Sequence, residues 1–166
     1  MSLDRTAILR QIAIASVSAE RATGCPALAS AAQAIVESGW LAHMPPESNN
    51  CFGIKNTDRF PGASYALTSE WIGGKLTPIQ QAFEKYPTLS SCFTDHGRLI
   101  TGGFGKPNVY AQAWSQYTQD HDIDKWIDAI AKHYAPGNKQ YPAVIRMWVH
   151  DPAVQAAILS AQKELL

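Results

Sequence analysis

The helical periodicity of this chain is interrupted once, between Asn49 and Tyr86. On both sides of this segment apolar residues recur at the i, i+3, i+4 spacing of amphipathic helices. The longest series after it is Leu89, Cys92, Phe93, His96, Leu99 and Ile100. A chain of 166 residues has the length of one domain. The pattern predicts an α+β fold that is mainly α, in a single domain spanning residues 1–166.

The interrupting segment has the features of a β-hairpin. Residues 65–72 are typical of a strand, and Gly73-Gly74 is typical of a two-residue turn. A second strand is expected after the turn, with Pro78 interrupting it. We therefore predict a small β-lobe over about residues 56–86.

Capping residues indicate where several helices begin. Asp4 can cap the first helix, Thr88 or Ser90 the helix after the β-lobe, and Asp151 the last helix. The second helix is expected to start with Pro26 in its first turn and to end at Gly39. Its predicted buried stripe is Leu28, Ala32 and Ile35.

The charge and cysteine content exclude several classes of function. Fourteen basic and fourteen acidic side chains cancel, and no basic stripe predicts binding to nucleic acid. No apolar run is long enough for a membrane span, and the N-terminal residues have no visible signal peptide. We expect a monomer. The pairing of the three cysteines, Cys25, Cys51 and Cys92, stays open.

Glu37 is the most informative charged residue. It lies nine positions after Leu28, which is about half a turn away from the predicted buried stripe. We expect it in the last turn of its helix, on a face of small groups (Ser30, Gln33 and Ala34) that a ligand can approach. The negative end of the helix dipole disfavours its ionisation, which suits a proton donor. The alternative is an ordinary solvated surface glutamate.

Glu70, in the first predicted strand, is the candidate for a second carboxylate. Two carboxyl groups across a cleft are the basic equipment of glycoside hydrolysis. An exposed strand residue is the alternative interpretation. The five histidines show no metal-ligand spacing, and His96 is expected to be a hydrogen-bonded core residue. No metal or other cofactor is expected.

Several motifs, in this order along the chain, resemble the bacterial N-acetylglucosaminidase family, glycoside hydrolase family 73. They are Gln33–Trp40 (QAIVESGW), Asn49–Lys55 (NNCFGIK), Thr68–Trp71 (TSEW), Phe83–Ile100, Val109–Ala111 and His133–Ala135. The chain departs from the usual pattern at Cys51, where leucine is common, and at Trp71, where tyrosine is common. Residues 136–138 also differ from the family's usual segment after the tyrosine motif.

The resemblance implies a lysozyme-like fold and cleavage of the β-1,4 bond after N-acetylglucosamine in peptidoglycan. Glu37 matches the family's general acid, Glu70 its proposed second carboxylate, and Tyr134 an active-site tyrosine. The expected substrate-binding residues are Asn50, Phe52, Trp71 and Tyr110. The expected partner is a peptidoglycan glycan strand, in the cell wall, reached from the periplasm, from outside the cell or by phage release.

Two other functions stay open at this point. One is a muramidase or a chitinase-like lysozyme relative, which would cleave a different glycosidic bond. The other is a non-catalytic glycan-binding domain of the same fold. The stereochemistry also stays open, because retaining and inverting enzymes differ in the distance between their carboxyl groups. A mechanism assisted by the substrate's N-acetyl group is a third option.

Overall fold

The structure, a computed structural model, describes residues 4–105 and 107–166, apart from the side chains of Glu70 and Trp71. This part of the chain forms seven helices and one two-stranded antiparallel sheet, which confirms the α+β, mainly α prediction. No described helix is long and apolar enough to cross a membrane. The elements are α1 (Arg5–Thr23), α2 (Ala27–Ser38), β1 (Ala63–Ile72), β2 (Lys75–Glu84), α3 (Leu89–Ile100), α4 (Ala111–Asp120), α5 (Ile123–Tyr134), α6 (Tyr141–Val149) and α7 (Pro152–Glu164).

The predicted caps begin three of the helices. The Asp4 carboxylate accepts hydrogen bonds from the first backbone N–H groups of α1, and Asp151 does the same for α7. Thr88 caps α3, where its hydroxyl accepts from the Ser91 N–H at 3.1 Å. Pro26 is the residue before α2 rather than its first helical residue, with an extended backbone (φ −56°, ψ 124°). That difference of one position leaves the helix as predicted.

The hairpin is longer and more regular than predicted. Gly73 and Gly74 both have positive φ (58° and 78°), as a tight type I′ turn requires, and Ile72 pairs with Lys75 across it. The expected interruption at Pro78 is wrong, because β2 runs through it opposite Ser69. Each strand of a two-stranded sheet has an unpaired edge. A proline whose missing N–H faces that edge leaves the ladder intact.

Helix α2 is the centre of the protein. Three apolar clusters each include a residue of this helix: Ile35 packs with residues of α1, α3 and α7, Ala29 with residues of α3 and α5, and Ala32 with residues of α5 and α6. The expectation of a single buried stripe is therefore wrong. Alanines fill much of α2, and their small side chains let neighbouring helices approach it from every side. A helix held in this way gives its C-terminal residues a fixed position.

The loop after α2 fixes the base of the hairpin. The side chain of Asn50 donates hydrogen bonds to the carbonyl oxygens of Ile54 (2.9 Å) and Glu84 (3.0 Å), and accepts one from the Ile54 N–H (3.0 Å). The Ser64 hydroxyl donates to the Pro46 carbonyl at 2.6 Å. The strands fall within residues 56–86 and are joined to α2 through this loop.

A buried cluster of charges connects the same loop to α3. Arg59 makes two hydrogen bonds with the Asp95 carboxylate, at 3.2 and 2.8 Å, and its guanidinium lies 3.8 Å from Glu84. Glu84 is fully buried and accepts from the backbone N–H and the hydroxyl of Thr57. Tyr86 donates to Asp95 at 2.6 Å. Side chains from the loop, from the end of the hairpin and from α3 therefore meet in one network.

Candidate active site

The end of α2 is shaped by the two residues that follow Glu37. The Ser38 hydroxyl donates to the Ala34 carbonyl at 2.6 Å and accepts from the Leu41 N–H at 2.8 Å, which reverses the chain. Gly39 has a left-handed backbone (φ 55°), and a Cβ placed on it would lie 2.6 Å from the His43 ring. The left-handed backbone favours glycine here, and any larger residue would have to displace the His43 ring.

Glu37 opens into a cleft of about 250 Å³ between the helices and the hairpin. The lining residues come from the end of α2, the loop after it and both strands. They are Glu37, His43, Met44, Pro45, Pro46, Asn50, Cys51, Gly53, Ala66, Leu67, Thr68 and Phe83. The carboxyl group of Glu37 is thus accessible to a ligand while protein surrounds it on several sides.

The surroundings of Glu37 favour its protonated form. Burial by the cleft walls raises the pKa of this carboxyl group, and the nearby Tyr141 hydroxyl partly offsets that rise. Glu37 is an exposed residue, so water still reaches it, but the protein atoms packed around its carboxyl group remove part of its solvation. That partial loss disfavours the charged form. A glycosidase's acid needs this property, because it must hold a proton until the glycosidic oxygen takes it.

The face of α2 that carries Glu37 is not open to ligand, contrary to the sequence-based expectation. Ser30, Gln33 and Ala34 are fully buried. The side-chain amide of Gln33 donates to the Tyr141 hydroxyl at 3.0 Å, so α6 covers this face. Only the last turn of α2, with Glu37, reaches the cleft. The physical reason is the central position of α2, because the helices packed around it bury the turns that precede the last one.

The two tyrosines predicted from the sequence lie close to each other, and Tyr134 lies near Glu37. The pKa of Tyr134 is raised well above its ordinary value, first by burial and then by the negative charge of Glu37. Its ring stacks on that of Tyr141, with centroids 5.8 Å apart. Tyr110 is mostly buried and is close enough to contribute to the raised pKa of both other tyrosines. The structure therefore brings Tyr134 and Tyr141 near the carboxyl group and places Tyr110 close to these two tyrosines.

Phe52 and His96 form the wall behind these groups. Phe52 is 5% exposed and stacks on His96 with ring centroids 3.7 Å apart. His96 is fully buried, as predicted, and burial lowers its pKa to about 3, so it is neutral at physiological pH. The expectation of a hydrogen-bonded histidine is wrong, because neither ring nitrogen has a partner among the described residues. Apolar and aromatic neighbours surround the ring instead.

The other predicted residues differ in how the structure places them. Asn50 lines the cleft, but its amide is engaged by the backbone of the loop and of β2. Glu70 and Trp71 lie in β1 opposite Thr77 and Leu76, and their side chains are outside the described residues. In the same strand, Thr68 lines the cleft.

Sequence reasoning missed two residues of the site, Tyr141 and His43. Gln33 was expected on the same face of α2 as Glu37, one helical turn before it, but its contact with Tyr141 was not expected. Tyr141 contacts the site from a separate helix, and no local pattern points to it. His43 lines the cleft because of the turn at Gly39.

A second concavity does not have these properties. A groove of about 500 Å³ lies between α1 and α7, lined by Trp40 and by several alanines of α7. Its acidic residue, Glu164, is exposed and paired with Arg10 at 2.6 Å. No grouping of three or more histidine, cysteine or acidic side chains suited to a metal ion occurs in residues 4–105 and 107–166, apart from the side chains of Glu70 and Trp71. The smaller cleft is the candidate active site because it contains an accessible acid with a raised pKa.

A helical domain with a β-hairpin beside an acid-bearing cleft has the architecture of a lysozyme-like glycosidase. Solved structures support this fold class. The catalytic domain of the autolysin Auto from Listeria monocytogenes matches with a TM-score of 0.77 at 18% identity, over 95% of this chain and 89% of that one. A peptidoglycan hydrolase mutant from Sphingomonas sp. A1 matches with a TM-score of 0.72 at 22% identity, over 93% of this chain and 99% of that one. At these identities the likeness shows the fold alone.

Sequence comparison identifies the family. The chain belongs to the glucosaminidase family, described as mannosyl-glycoprotein endo-beta-N-acetylglucosaminidase, whose model matches residues 13–151. It is 35% identical over 102 residues to an autolysin of Enterococcus faecalis, covering 58% of this chain and 14% of that protein. It is 36% identical over 101 residues to the peptidoglycan hydrolase FlgJ of Pseudomonas aeruginosa, covering 57% and 25%. The chain thus spans a quarter or less of the length of these relatives.

Proposed function

We propose that this chain cleaves the β-1,4 bond after N-acetylglucosamine in bacterial peptidoglycan, with Glu37 as general acid. The observation that carries the proposal is the position of Glu37: an accessible carboxyl group in a cleft, with its pKa raised by burial, in a chain of the glucosaminidase family. The names of the relatives, an autolysin and a peptidoglycan hydrolase, support the choice of substrate.

In the proposed reaction Glu37 donates its proton to the glycosidic oxygen as the bond to the leaving sugar breaks. Glu70 activates water or stabilises the positive charge that develops at the sugar. Tyr134, packed against Tyr141 near Glu37, positions the substrate's N-acetyl group. Asn50 and Phe52 support the cleft wall through the contacts described above, and Tyr110 and Trp71 are proposed to contact the glycan.

The first experiment compares release of soluble fragments from purified cell walls by the wild type and by Glu37→Gln. We expect the variant to lose about 100- to 10,000-fold in rate, the usual contribution of a positioned acid. Glu47→Gln is the matched control, since Glu47 is an exposed glutamate whose side chain is 88% accessible. Equal rates for wild type and Glu37→Gln would overturn the proposal.

Product analysis decides which bond is cut. A glucosaminidase leaves N-acetylglucosamine at the reducing end, whereas a muramidase leaves N-acetylmuramic acid. The muramidase alternative has a specific observation behind it, because a protein of Lactococcus lactis named a probable N-acetylmuramidase is 36% identical over 89 residues. Borohydride reduces the sugar at the reducing end of each product to its alditol. Identifying that alditol by mass spectrometry distinguishes a glucosaminidase from a muramidase. Binding of cell-wall glycan without any product would support the non-catalytic alternative.

The role of Glu70 needs its own test. Glu70→Gln should lower the rate if the residue activates water or stabilises charge. NMR of the first anomer released then distinguishes inversion from retention. A glycan without N-acetyl groups that is bound but not cleaved, together with a rate loss in Tyr134→Phe, would indicate assistance by the substrate. We also propose that the chain acts on the cell wall as a monomer. Size-exclusion chromatography can test whether it is monomeric.

A further inference from the structure

Two of the three cysteines lie in contact inside the protein. The Sγ atoms of Cys51 and Cys92 are 3.8 Å apart, and both residues are buried, at 1% and 0% exposure. Cys51 belongs to the loop after α2 and lines the cleft with Glu37, whereas Cys92 is in the first turn of α3. Cys25 is engaged elsewhere, with its thiol 3.1 Å from the Ser30 hydroxyl. The fold therefore singles out one pair.

We propose that Cys51 and Cys92 form a disulfide bond when the protein folds in an oxidising compartment. The structure holds both residues as free thiols. The two sulfur atoms must approach from contact distance to a bond length of about 2.05 Å. Peptidoglycan lies outside the cytoplasmic membrane, where disulfides form and persist. The choice of compartment rests on the proposed substrate, whereas the pairing of the two cysteines does not depend on the glycosidase activity.

The disulfide bond forms while the chain folds and not in the folded protein. A thiol attacks a disulfide as its thiolate, and burial raises the pKa of the Cys51 thiol well above its ordinary value. In the folded protein the Cys51 thiol is thus shielded and poorly ionised. In the folding chain, one cysteine attacks a low-molecular-weight disulfide such as oxidised glutathione and releases one glutathione thiol. The second cysteine then attacks the mixed disulfide and displaces the second glutathione as a thiol. Two protein thiols lose two hydrogen atoms, and one glutathione disulfide is reduced to two thiols.

The bond would close a loop that contains the whole hairpin. Cys51 and Cys92 are 41 positions apart, and both strands lie between them. The bond would join the loop beside Glu37 to α3, next to the Arg59–Asp95 pair that already connects these two parts. Closing a loop of this size restricts the unfolded chain, and we expect a rise of about 10 °C in Tm for the oxidised protein.

The experiment refolds the reduced wild-type chain from denaturant in a buffer of reduced and oxidised glutathione, and then measures the intact mass and the linked peptides. We expect a protein lighter by two hydrogen atoms, with one cross-linked peptide pair that contains Cys51 and Cys92. Cys25 should react with an alkylating reagent only after unfolding. The Tm should fall when a reductant is added during unfolding.

Three variants sharpen this test. Cys51→Leu and Cys92→Ala should show no cross-link and no response of the Tm to reductant, whereas Cys25→Ala should keep both. Wild-type protein that refolds with three free thiols, with glutathione adducts only, or with a bond to Cys25 would overturn the proposal. The peptide map of the wild type decides the question even if a variant fails to fold.

Discussion

The side-chain amide of Gln33 donates a hydrogen bond to the hydroxyl of Tyr141 at 3.0 Å, deep between α2 and α6. The Tyr141 hydroxyl is close enough to the Glu37 carboxyl group to lower its pKa. Gln33 therefore holds in place the tyrosine hydroxyl that acts on the proposed acid.

Tyr141→Phe should move the alkaline limb of the pH–activity profile to higher pH. Loss of the hydroxyl removes an influence that lowers the pKa of Glu37, so the acid stays protonated to higher pH. Activity at the optimum should fall about tenfold, because the carboxyl group loses a polar neighbour in the cleft. Initial rates of cell-wall cleavage across pH measure both effects. Tyr117→Phe, in an aromatic cluster with Trp114 and Trp126, is the control and should leave the profile unchanged.

Gln33→Leu should have a smaller effect in the same direction, because Gln33 acts on Glu37 only through Tyr141. The double variant with Tyr141→Phe should then behave as Tyr141→Phe alone. A double-mutant cycle on kcat/KM, measured over the same pH range, tests this. Additive effects of the two substitutions would show that Gln33 does not act through Tyr141.

Arg59→Met should destabilise the protein by about 3 kcal/mol, because it leaves the buried carboxylates of Asp95 and Glu84 without their cation. Urea unfolding followed by circular dichroism measures the change in the free energy of unfolding. Arg10→Met is the matched control: its pair with Glu164 is exposed on both sides and should contribute about 0.5 kcal/mol or less. Similar losses in the two variants would show that the buried network contributes little.

Gly39→Ala should impair the site more than it impairs the fold. An alanine with a left-handed backbone costs about 1 kcal/mol, and its Cβ would displace the His43 ring that lines the cleft. Gly62→Ala is the control, since Gly62 has a similar positive φ (79°) and open space around it. We expect both variants to lose a similar amount of stability and only Gly39→Ala to lose several-fold in activity. Full activity in Gly39→Ala would show that His43 has no role in the cleft.

His96 should make the protein sensitive to acid. Its pKa is lowered from 6.5 to about 3 in the folded state, so between these values the unfolded chain binds a proton that the folded protein excludes. Stability should therefore fall by about 1.4 kcal/mol per pH unit as the pH decreases through this range. His96→Leu should remove this contribution to the slope, whereas His121→Asn, at an exposed residue, should retain it. Unfolding free energies at several pH values measure the slopes.

Local patterns in the sequence determined much of the fold. Asp4, Thr88 and Asp151 cap helices because an acceptor side chain before a helix satisfies free N–H groups wherever the helix packs. Gly73-Gly74 specifies its hairpin turn because only positive φ values close that turn. The ordered motifs around Glu37 pointed to the glucosaminidase family, which the comparison confirmed.

The tertiary structure alone decided what surrounds Glu37. The sequence pattern predicted an open face beside it, but α6 covers that face because alanine-rich α2 lies at the centre of the helices. The hydrogen-bonded pair Gln33–Tyr141 and the contact between Cys51 and Cys92 join residues 108 and 41 positions apart. Such contacts depend on how helices and loops pack, and no spacing along the chain encodes them. The raised pKa of Glu37 has the same origin, because burial by distant segments is its largest cause.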